Sequence, residues 1–354
     1  MAVLKNQNYH DEQTKQNILK MRAVLDTLPP FCRTFFRGIE EYTSARTRLA
    51  YAYDIRLFFE YLHDKNTECS KMEIPEFPIT ILDLIKRTDI EEYLEYITLY
   101  HKDGHDITND ERGKARKLSA LRSFYNYYYE NEMIQTNPAS LVPLPKRHEK
   151  EIIRLEPNEV AILLDQVEDG TNLTKKELEY HKKTKIRDVA LLTLLLGTGI
   201  RVSECVGLDI SDVNFDEGGI KIRRKGGYEA IVYFGDEVET ALLDYLDERN
   251  HIIPATGHEN ALFLSLQNRR IAVRSVENLV KKYASRVTTL KKITPHKLRS
   301  TYGTTLYRET GDIYLVADVL GHKDVNTTRK HYAAQQEERR RRAANAVKLR
   351  EDKE

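Results

Sequence analysis

Four short stretches in the second half of the chain hold residues whose types could do chemistry: Arg201 in GTGIRVSE, Lys225 in RRKGG, His296 and Arg299 in TPHKLRST, and His322 with Tyr332 in LGHKDVNTTRKHYA. Each is ordinary alone. An arginine after a glycine break can pair at a helix start, a hairpin lysine can point into solvent, and a histidine and an arginine three apart share a helix face without obligation. Taken as a set, they suit one reaction. A phosphodiester attacked in line gathers negative charge on its non-bridging oxygens, and guanidinium forks match those oxygens bidentately. Metal-dependent nucleases meet the same charge with carboxylate-held Mg²⁺. This sequence offers no carboxylate cluster and no CxxC or Cys/His metal pattern, so arginines would stand in for the metal. A tyrosine nucleophile forms a covalent phosphotyrosine that keeps the bond energy for a second transfer, so rejoining needs no cofactor, neither ATP nor a metal ion. The leaving 5′ oxygen needs a proton, which a lysine on a flexible hairpin can supply.

The elements that must hold these residues are legible as patterns. An apolar helix over residues 186–196 closes at Gly197, Thr198 and Gly199, just before Arg201, after a polar segment at 168–185 and a helical stretch at 157–167. Two β-like runs, 219–223 and 230–234, are joined through Arg224, Lys225, Gly226 and Gly227, a hairpin signature. Helical periodicity returns over 273–286, 296–308 and 314–320. The first half reads as helical, with little that reads as strand. In residues 43–62, Leu49, Tyr53, Leu57, Phe58 and Tyr61 recur at helical spacing, and Thr43 or Ser44 can cap the start. Similar stripes occupy 89–100 and 114–129. In the latter, Leu118, Leu121, Phe124, Tyr125 and Tyr128 form one face while Lys114, Arg116, Lys117 and Arg122 populate another. That basic face is either a phosphate contact or an ordinary solvated surface. Residues 13–28 read as one further helix. Between 137 and 154, three prolines and a basic cluster without sustained period read as an extended connector.

Composition bounds the class. At about 100 to 200 residues per domain, a chain of 354 residues implies two domains, each able to bury a core. Fifty-six Lys and Arg against 55 Asp and Glu leave a net charge of +1, so any basic surface must arise by segregation. The longest apolar stretch, 189–196, falls far short of the roughly 20 residues a membrane span needs, and the polar start has no signal-peptide core. A soluble intracellular protein with no membrane partner is expected. Cys32, Cys69 and Cys205 are too scattered for a disulfide framework and read as reduced thiols.

The array GTGIRVSE, RRKGG, PHKLR and LGHKDVNTTRKHY, in this order and at these intervals, resembles the catalytic domain of the tyrosine recombinase (phage-type integrase) family. TSARTRLAYAYDIRLFFEYL and ARKLSALRSFYNYYYENEMIQTNP resemble the helical core-binding domain of Xer-type recombinases and integrases. The resemblance implies a mainly α fold with a small β-hairpin or sheet in the catalytic domain, preceded by a helical (SAM-like) core DNA-binding domain. Its implied division is an N-terminal extension at 1–35, a core-binding domain at 36–140, a linker at 141–155, a catalytic domain at 156–336 and a tail at 337–354. By position, Arg201 and Arg299 match the phosphate-clamping arginines, Tyr332 the nucleophile and Lys225 the general acid. His296 matches a histidine that exchanges a proton with the tyrosine, and His322 one that hydrogen-bonds the scissile phosphate. Glu204 matches a supporting acid, or is a simple surface carboxylate. The interval from His322 to Tyr332 is ten residues, one longer than in many Xer proteins. Lys221 is the alternative hairpin lysine, and Ser300 stands where a second basic side chain is frequent.

The partner so implied is double-stranded DNA at recombination sites, closed in a clamp of the two domains by a homo-tetramer on two duplexes, with accessory DNA-bending proteins possible. Pro143, Pro145, Lys146, Arg147 and Lys150 suit a strap along the backbone. Base or backbone contacts are expected of Arg46, Thr47, Arg48, Arg116, Lys117, Arg122, Arg223 and Arg224. The tail is either a solvated helix or a segment that docks on a neighbouring protomer. The activity implied is site-specific cleavage and rejoining of DNA through a 3′-phosphotyrosine and a Holliday junction, in the nucleoid. It would serve integration and excision or chromosome-dimer resolution. A type IB topoisomerase and an inactive DNA-binding homologue are the alternatives.

Overall fold

The computed structural model describes residues 9–146, 152–224, 226–322 and 325. The chain divides into two compact units, Met1–Lys150 and Glu151–Glu354.

The first unit contains α1 (Tyr9–Leu25), α2 (Cys32–Gly38), α3 (Ala45–Lys65), α4 (Ile81–Leu84), α5 (Arg87–Tyr96), the strands β1 (Leu99–Lys102) and β2 (His105–Thr108), then α6 (Glu111–Glu130) and α7 (Pro138–Leu141). Helix α3 begins where Ser44 accepts the Thr47 N–H, and α6 where the Asp110 carboxylate accepts the Gly113 N–H, each satisfying a donor the first turn leaves unpaired. The expected apolar face of α6 is the core: Leu118, Leu121, Phe124, Tyr125 and Tyr128 are all fully buried. Phe124 meets Tyr128 and Phe35 edge to face, with ring centroids 5.0 and 5.2 Å apart. Tyr128 satisfies its hydroxyl on the Phe31 carbonyl at 2.7 Å.

Two features of this unit depart from the sequence reading. Met21, Val24 and Leu25 of α1, with Leu28, Cys32 and Phe35, lie inside the same core, so residues 9–35, within the stretch read as an extension, pack into this unit. The stripe at 89–100 is also not one helix. It stops at Tyr96, and Leu99–Lys102 turns through Asp103-Gly104 into an antiparallel hairpin with His105–Thr108.

The second unit contains α8 (Pro157–Asp169), α9 (Lys175–Thr198), α10 (Val202–Gly207), the strands β3 (Val213–Asn214), β4 (Gly219–Arg223) and β5 (Glu229–Tyr233), then α11 (Asp236–Asn250), α12 (Val273–Val287), α13 (Pro295–Thr310) and α14 (Ile313–Leu320). Helix α9 is the axis, packing against α8, α11 and α13. Its apolar second half buries Leu191, Leu192, Leu194 and Leu195. Most of the polar segment before it belongs to the same helix: Thr174 and Glu177 form a capping box that starts the helix three turns earlier than the apolar run. The hairpin pairs Ile220 with Val232, Lys221 with Ile231 and Arg223 with Glu229, and β3 adds a third antiparallel strand beside β4. No helix among the described residues is long and apolar enough to cross a membrane.

Candidate active site

Arg201 is placed by the end of one helix and the start of the next. Helix α9 ends at Gly199, whose left-handed backbone (φ 62°) turns the chain so that Arg201 becomes the N-cap of α10. Glu204, one turn into α10 and only 4% exposed, accepts both the Arg201 backbone N–H at 2.7 Å and its Nη1 at 2.8 Å. One buried carboxylate thus fixes the backbone and the guanidinium of the same residue. Arg201 Nη2 reaches the Gly321 carbonyl at 3.5 Å.

Arg299 comes from the second turn of α13 and is 5% exposed. Its Nη1 donates to the Gly199 carbonyl at 2.6 Å, and its Nη2 donates to the Leu320 carbonyl. His296, one turn earlier on α13, is exposed, and its carbonyl accepts from the Ser300 hydroxyl at 3.1 Å. Thr301 ties the α13 helix to the start of this unit by accepting the Leu155 N–H at 3.0 Å.

His322 follows α14 through a Schellman turn. The His322 N–H bonds the Ala317 carbonyl at 2.9 Å and the Gly321 N–H bonds the Asp318 carbonyl at 2.8 Å, with Gly321 left-handed at φ 60°. The structure therefore brings Arg201, Glu204, Arg299 and His322 to one locus, at the end of α14. Lys221 is committed elsewhere, to Glu229 at 2.8 Å. Lys225, Arg147, Lys150, Tyr332 and the tail lie outside the described residues. Among the described residues no group of three or more His, Cys, Asp or Glu is placed to hold a metal ion. Cys32, Cys69 and Cys205 are buried and unpaired, and burial beside Glu204 raises the Cys205 thiol to about 12.

The cations expected to meet DNA divide into two groups. Arg46 is exposed on the first turn of α3, beside Thr47, whose hydroxyl lies 2.9 Å from that of Ser44; Lys146 is exposed and Arg223 half-buried. Five more have partners within the protein that can be named. Arg48 is 5% exposed and bonds the Glu40 carbonyl at 2.9 Å and its carboxylate at 3.1 Å. Lys117 is 7% exposed and donates to Asn109 at 3.0 Å, with the buried Asp54 carboxylate 3.7 Å away. Arg122 donates to the carbonyls of Ala139 and Val142. The charges of Arg48, Lys117 and Arg122 thus hold the first unit together. Arg116 pairs with Asp54 yet keeps half its side chain exposed. Arg224, also among the residues expected on DNA, bonds the end of α14.

Two arginines, a carboxylate that orients one of them and a histidine at a helix end meet in a unit built around a long helix, buried in its second half, with a three-stranded sheet. Residues 154–339 match the phage integrase family. The tyrosine recombinase XerC of Caldanaerobacter subterraneus subsp. tengcongensis is 33% identical over 297 residues, covering 81% of this chain and 77% of that protein. The tyrosine recombinase XerD of Staphylococcus epidermidis is 30% identical over 295 residues, covering 83% of this chain and 90% of that one. The fold is similar to that of XerH site-specific recombinase bound to a palindromic difH substrate in a post-cleavage complex, with a TM-score of 0.66, 19% identity, and coverage of 96% and 91% of the two chains. The chain belongs to the phage integrase family and is a tyrosine-type site-specific recombinase.

Proposed function

We propose that this recombinase cleaves and rejoins double-stranded DNA at specific sites through a 3′-phosphotyrosine and a Holliday junction, as a homo-tetramer joining two duplexes. The observation that carries the site assignment is the convergence of Arg201 and Arg299 on the adjacent carbonyls of Gly321 and Leu320, immediately before His322. Guanidinium groups gathered at one point supply the donors that a scissile phosphate needs without a metal. The Tyr332 hydroxyl attacks phosphorus, forming a P–O bond to the 3′ side while the bond to the 5′ oxygen breaks. Lys225 protonates that leaving oxygen, His296 exchanges a proton with the tyrosine, His322 and the two arginines hold the non-bridging oxygens, and Glu204 holds Arg201. Rejoining reverses these steps with a 5′ hydroxyl from the partner strand.

The first unit would read the site through Arg46, Thr47 and Arg116. Lys146, Arg147 and Lys150 of the connector would meet phosphates, and Arg223 would contact the backbone from the hairpin. Accessory DNA-bending proteins and the tail, docking on a neighbouring protomer, would govern when cleavage is allowed, on the nucleoid. The relatives are recombinases by name, and the XerH neighbour was captured on a difH substrate.

The test is a nicked suicide duplex carrying the DNA that flanks the gene, incubated in EDTA with wild type and Tyr332→Phe. A covalent protein–DNA band from wild type alone is expected. A band that persists in Tyr332→Phe would assign another nucleophile. DNA binding without any band would make the chain an inactive DNA-binding homologue, and relaxation of supercoiled DNA without strand exchange would make it topoisomerase-like.

A further inference from the structure

Arginines from three different elements reach the successive carbonyls of residues 318–321 at the end of helix α14. Arg299 of α13 donates to Leu320, Arg201 of the α9–α10 turn to Gly321, and Arg224 of the hairpin to Val319 at 2.8 Å and to Asp318 at 3.4 Å. The first two belong to the phosphate-binding set. Arg224 does not, and its contacts differ from those of a DNA-binding cation. Its guanidinium lies over Gly321 so closely that a Cβ there would fall 1.3 Å from Nη1, and only a glycine admits it. Its Nε is buried with no hydrogen-bond partner. A buried donor left unsatisfied on a charged group calls for a reason beyond stability.

The backbone of Arg224 is equally fixed. Its N–H donates to the Tyr228 carbonyl at 2.7 Å, continuing the ladder past Arg223–Glu229, and its carbonyl accepts from Gly227 at 3.1 Å. One residue therefore belongs rigidly to the hairpin turn through its backbone and to the end of α14 through its side chain. The next residue in the chain is Lys225, and the residue after the covered glycine is His322.

We propose that Arg224 is a positioning residue for strand cleavage: it locks the hairpin that bears Lys225 onto the end of α14, setting the general acid relative to the arginine and histidine locus. This rests on the reading of Lys225 as the acid that protonates the leaving 5′ oxygen. A guanidinium suits the task because its planar fork spans two carbonyls of one helical turn, whereas an ammonium offers one point of attachment on a shorter stem.

The test measures single-turnover cleavage at saturating DNA by Arg224→Ala, Arg224→Lys and Lys225→Ala on two suicide duplexes. One is all-oxygen; the other carries sulfur in place of the 5′-bridging oxygen, a leaving group that departs as thiolate without a proton. A misplaced general acid loses part of the roughly 100-fold or more that such catalysis contributes. Arg224→Ala should therefore be slowed about 10- to 100-fold on the oxygen duplex and restored to within about threefold of wild type on the sulfur duplex, with Arg224→Lys intermediate. DNA affinity should stay within about twofold of wild type, since the residue meets no phosphate. If Lys225→Ala is rescued by sulfur and both Arg224 variants are not, the proposal is overturned while the acid assignment stands. If Lys225→Ala is itself not rescued, the acid assignment fails and takes the proposal with it. Weakened DNA binding with an unchanged rate at saturation would return Arg224 to the role of a DNA contact.

Discussion

Glu204→Gln isolates the question of what orients Arg201. The carboxylate accepts two N–H groups of that one residue, at 2.7 Å from the backbone and 2.8 Å from Nη1, in a position only 4% exposed. Glutamine has the same shape but one oxygen, so whichever donor faces the amide nitrogen meets N–H against N–H. Hydrogen bonds to a charged group contribute about 1.5–3 kcal/mol each and neutral ones about 0.5–1.5 kcal/mol. Losing one and weakening the other should cost the second unit about 2 kcal/mol, part of it from the capping box. The guanidinium, no longer held from that side, should reach the phosphate less often. A loss of 1.4–2.8 kcal/mol in transition-state stabilisation corresponds to a roughly 10- to 100-fold slower cleavage.

Two measurements separate the structural from the chemical consequence: the urea midpoint of the second unit, and the single-turnover cleavage rate at saturating DNA at a temperature where the variant is fully folded. The expected result is a lowered midpoint together with slower cleavage at nearly unchanged DNA affinity. A lowered midpoint with wild-type cleavage would refute the reasoning, because it would make Glu204 a helix cap and nothing more.

Three further outcomes follow from other elements. Gly199→Ala must adopt a left-handed backbone at about 1–2 kcal/mol and place a Cβ 2.3 Å from the Tyr302 ring, so it should lower the melting temperature and, because the Gly199 carbonyl holds Arg299, slow cleavage as well. Glu177 is held down to about 2 by the backbone and hydroxyl of Thr174 and by Arg286. A carboxyl whose folded value lies below its ordinary 4.5 adds stability that is present above that value and lost as pH falls towards 2. Glu177→Gln should remove about 1 kcal/mol at neutral pH, screened because the side chain is 30% exposed, and flatten the fall in urea midpoint over that acid window. Lys146→Ala with Arg147→Ala should reduce the slope of log affinity against log salt by about 0.9 for each phosphate contact removed; an unchanged slope would take the connector off the DNA.

Much of the fold was legible wherever burial leaves a periodic trace. The α6 stripe, the β4–β5 hairpin and the helices bearing Arg299 and preceding His322 all lie where spacing places them. The first turns of α9 escaped that reading because residues 175–185 show no apolar stripe, although Thr174 and Glu177 spell a capping box. The β1–β2 hairpin was announced only by Asp103-Gly104, and its strands are four residues long with no buried residue, so no apolar run marks them. Charge was the least legible property. On α6, Lys117 looks like its solvent-facing neighbours because the carboxylate that draws it inward, Asp54, is 63 positions earlier on α3. The bonds of Arg224 are hidden from spacing for the same reason, its acceptors lying 94 and 95 positions away. Sequence spacing reports which face a residue shares, and long-range partners decide what its charge does.

The end of α14 also explains how positively charged groups can be gathered before a phosphate arrives. Bringing guanidinium groups together costs repulsion and desolvation, and pairing each with a carboxylate would offset that cost only by cancelling the charge the reaction requires. Backbone carbonyls at a helix C-terminus carry partial negative charge and unused lone pairs. They hold Arg201, Arg224 and Arg299 at a spacing set by successive peptide units, while Arg201 is also paired with the Glu204 carboxylate. On the proposed reading, a phosphate would meet the Arg201 and Arg299 donors already oriented, and the reorganisation it must drive would be small. The glycine that ends the helix is part of the same solution: its left-handed turn releases the chain towards His322, and the missing Cβ leaves room for the Arg224 fork. A side chain at position 321 would have to displace that fork, and with it the link between the hairpin and the rest of the site.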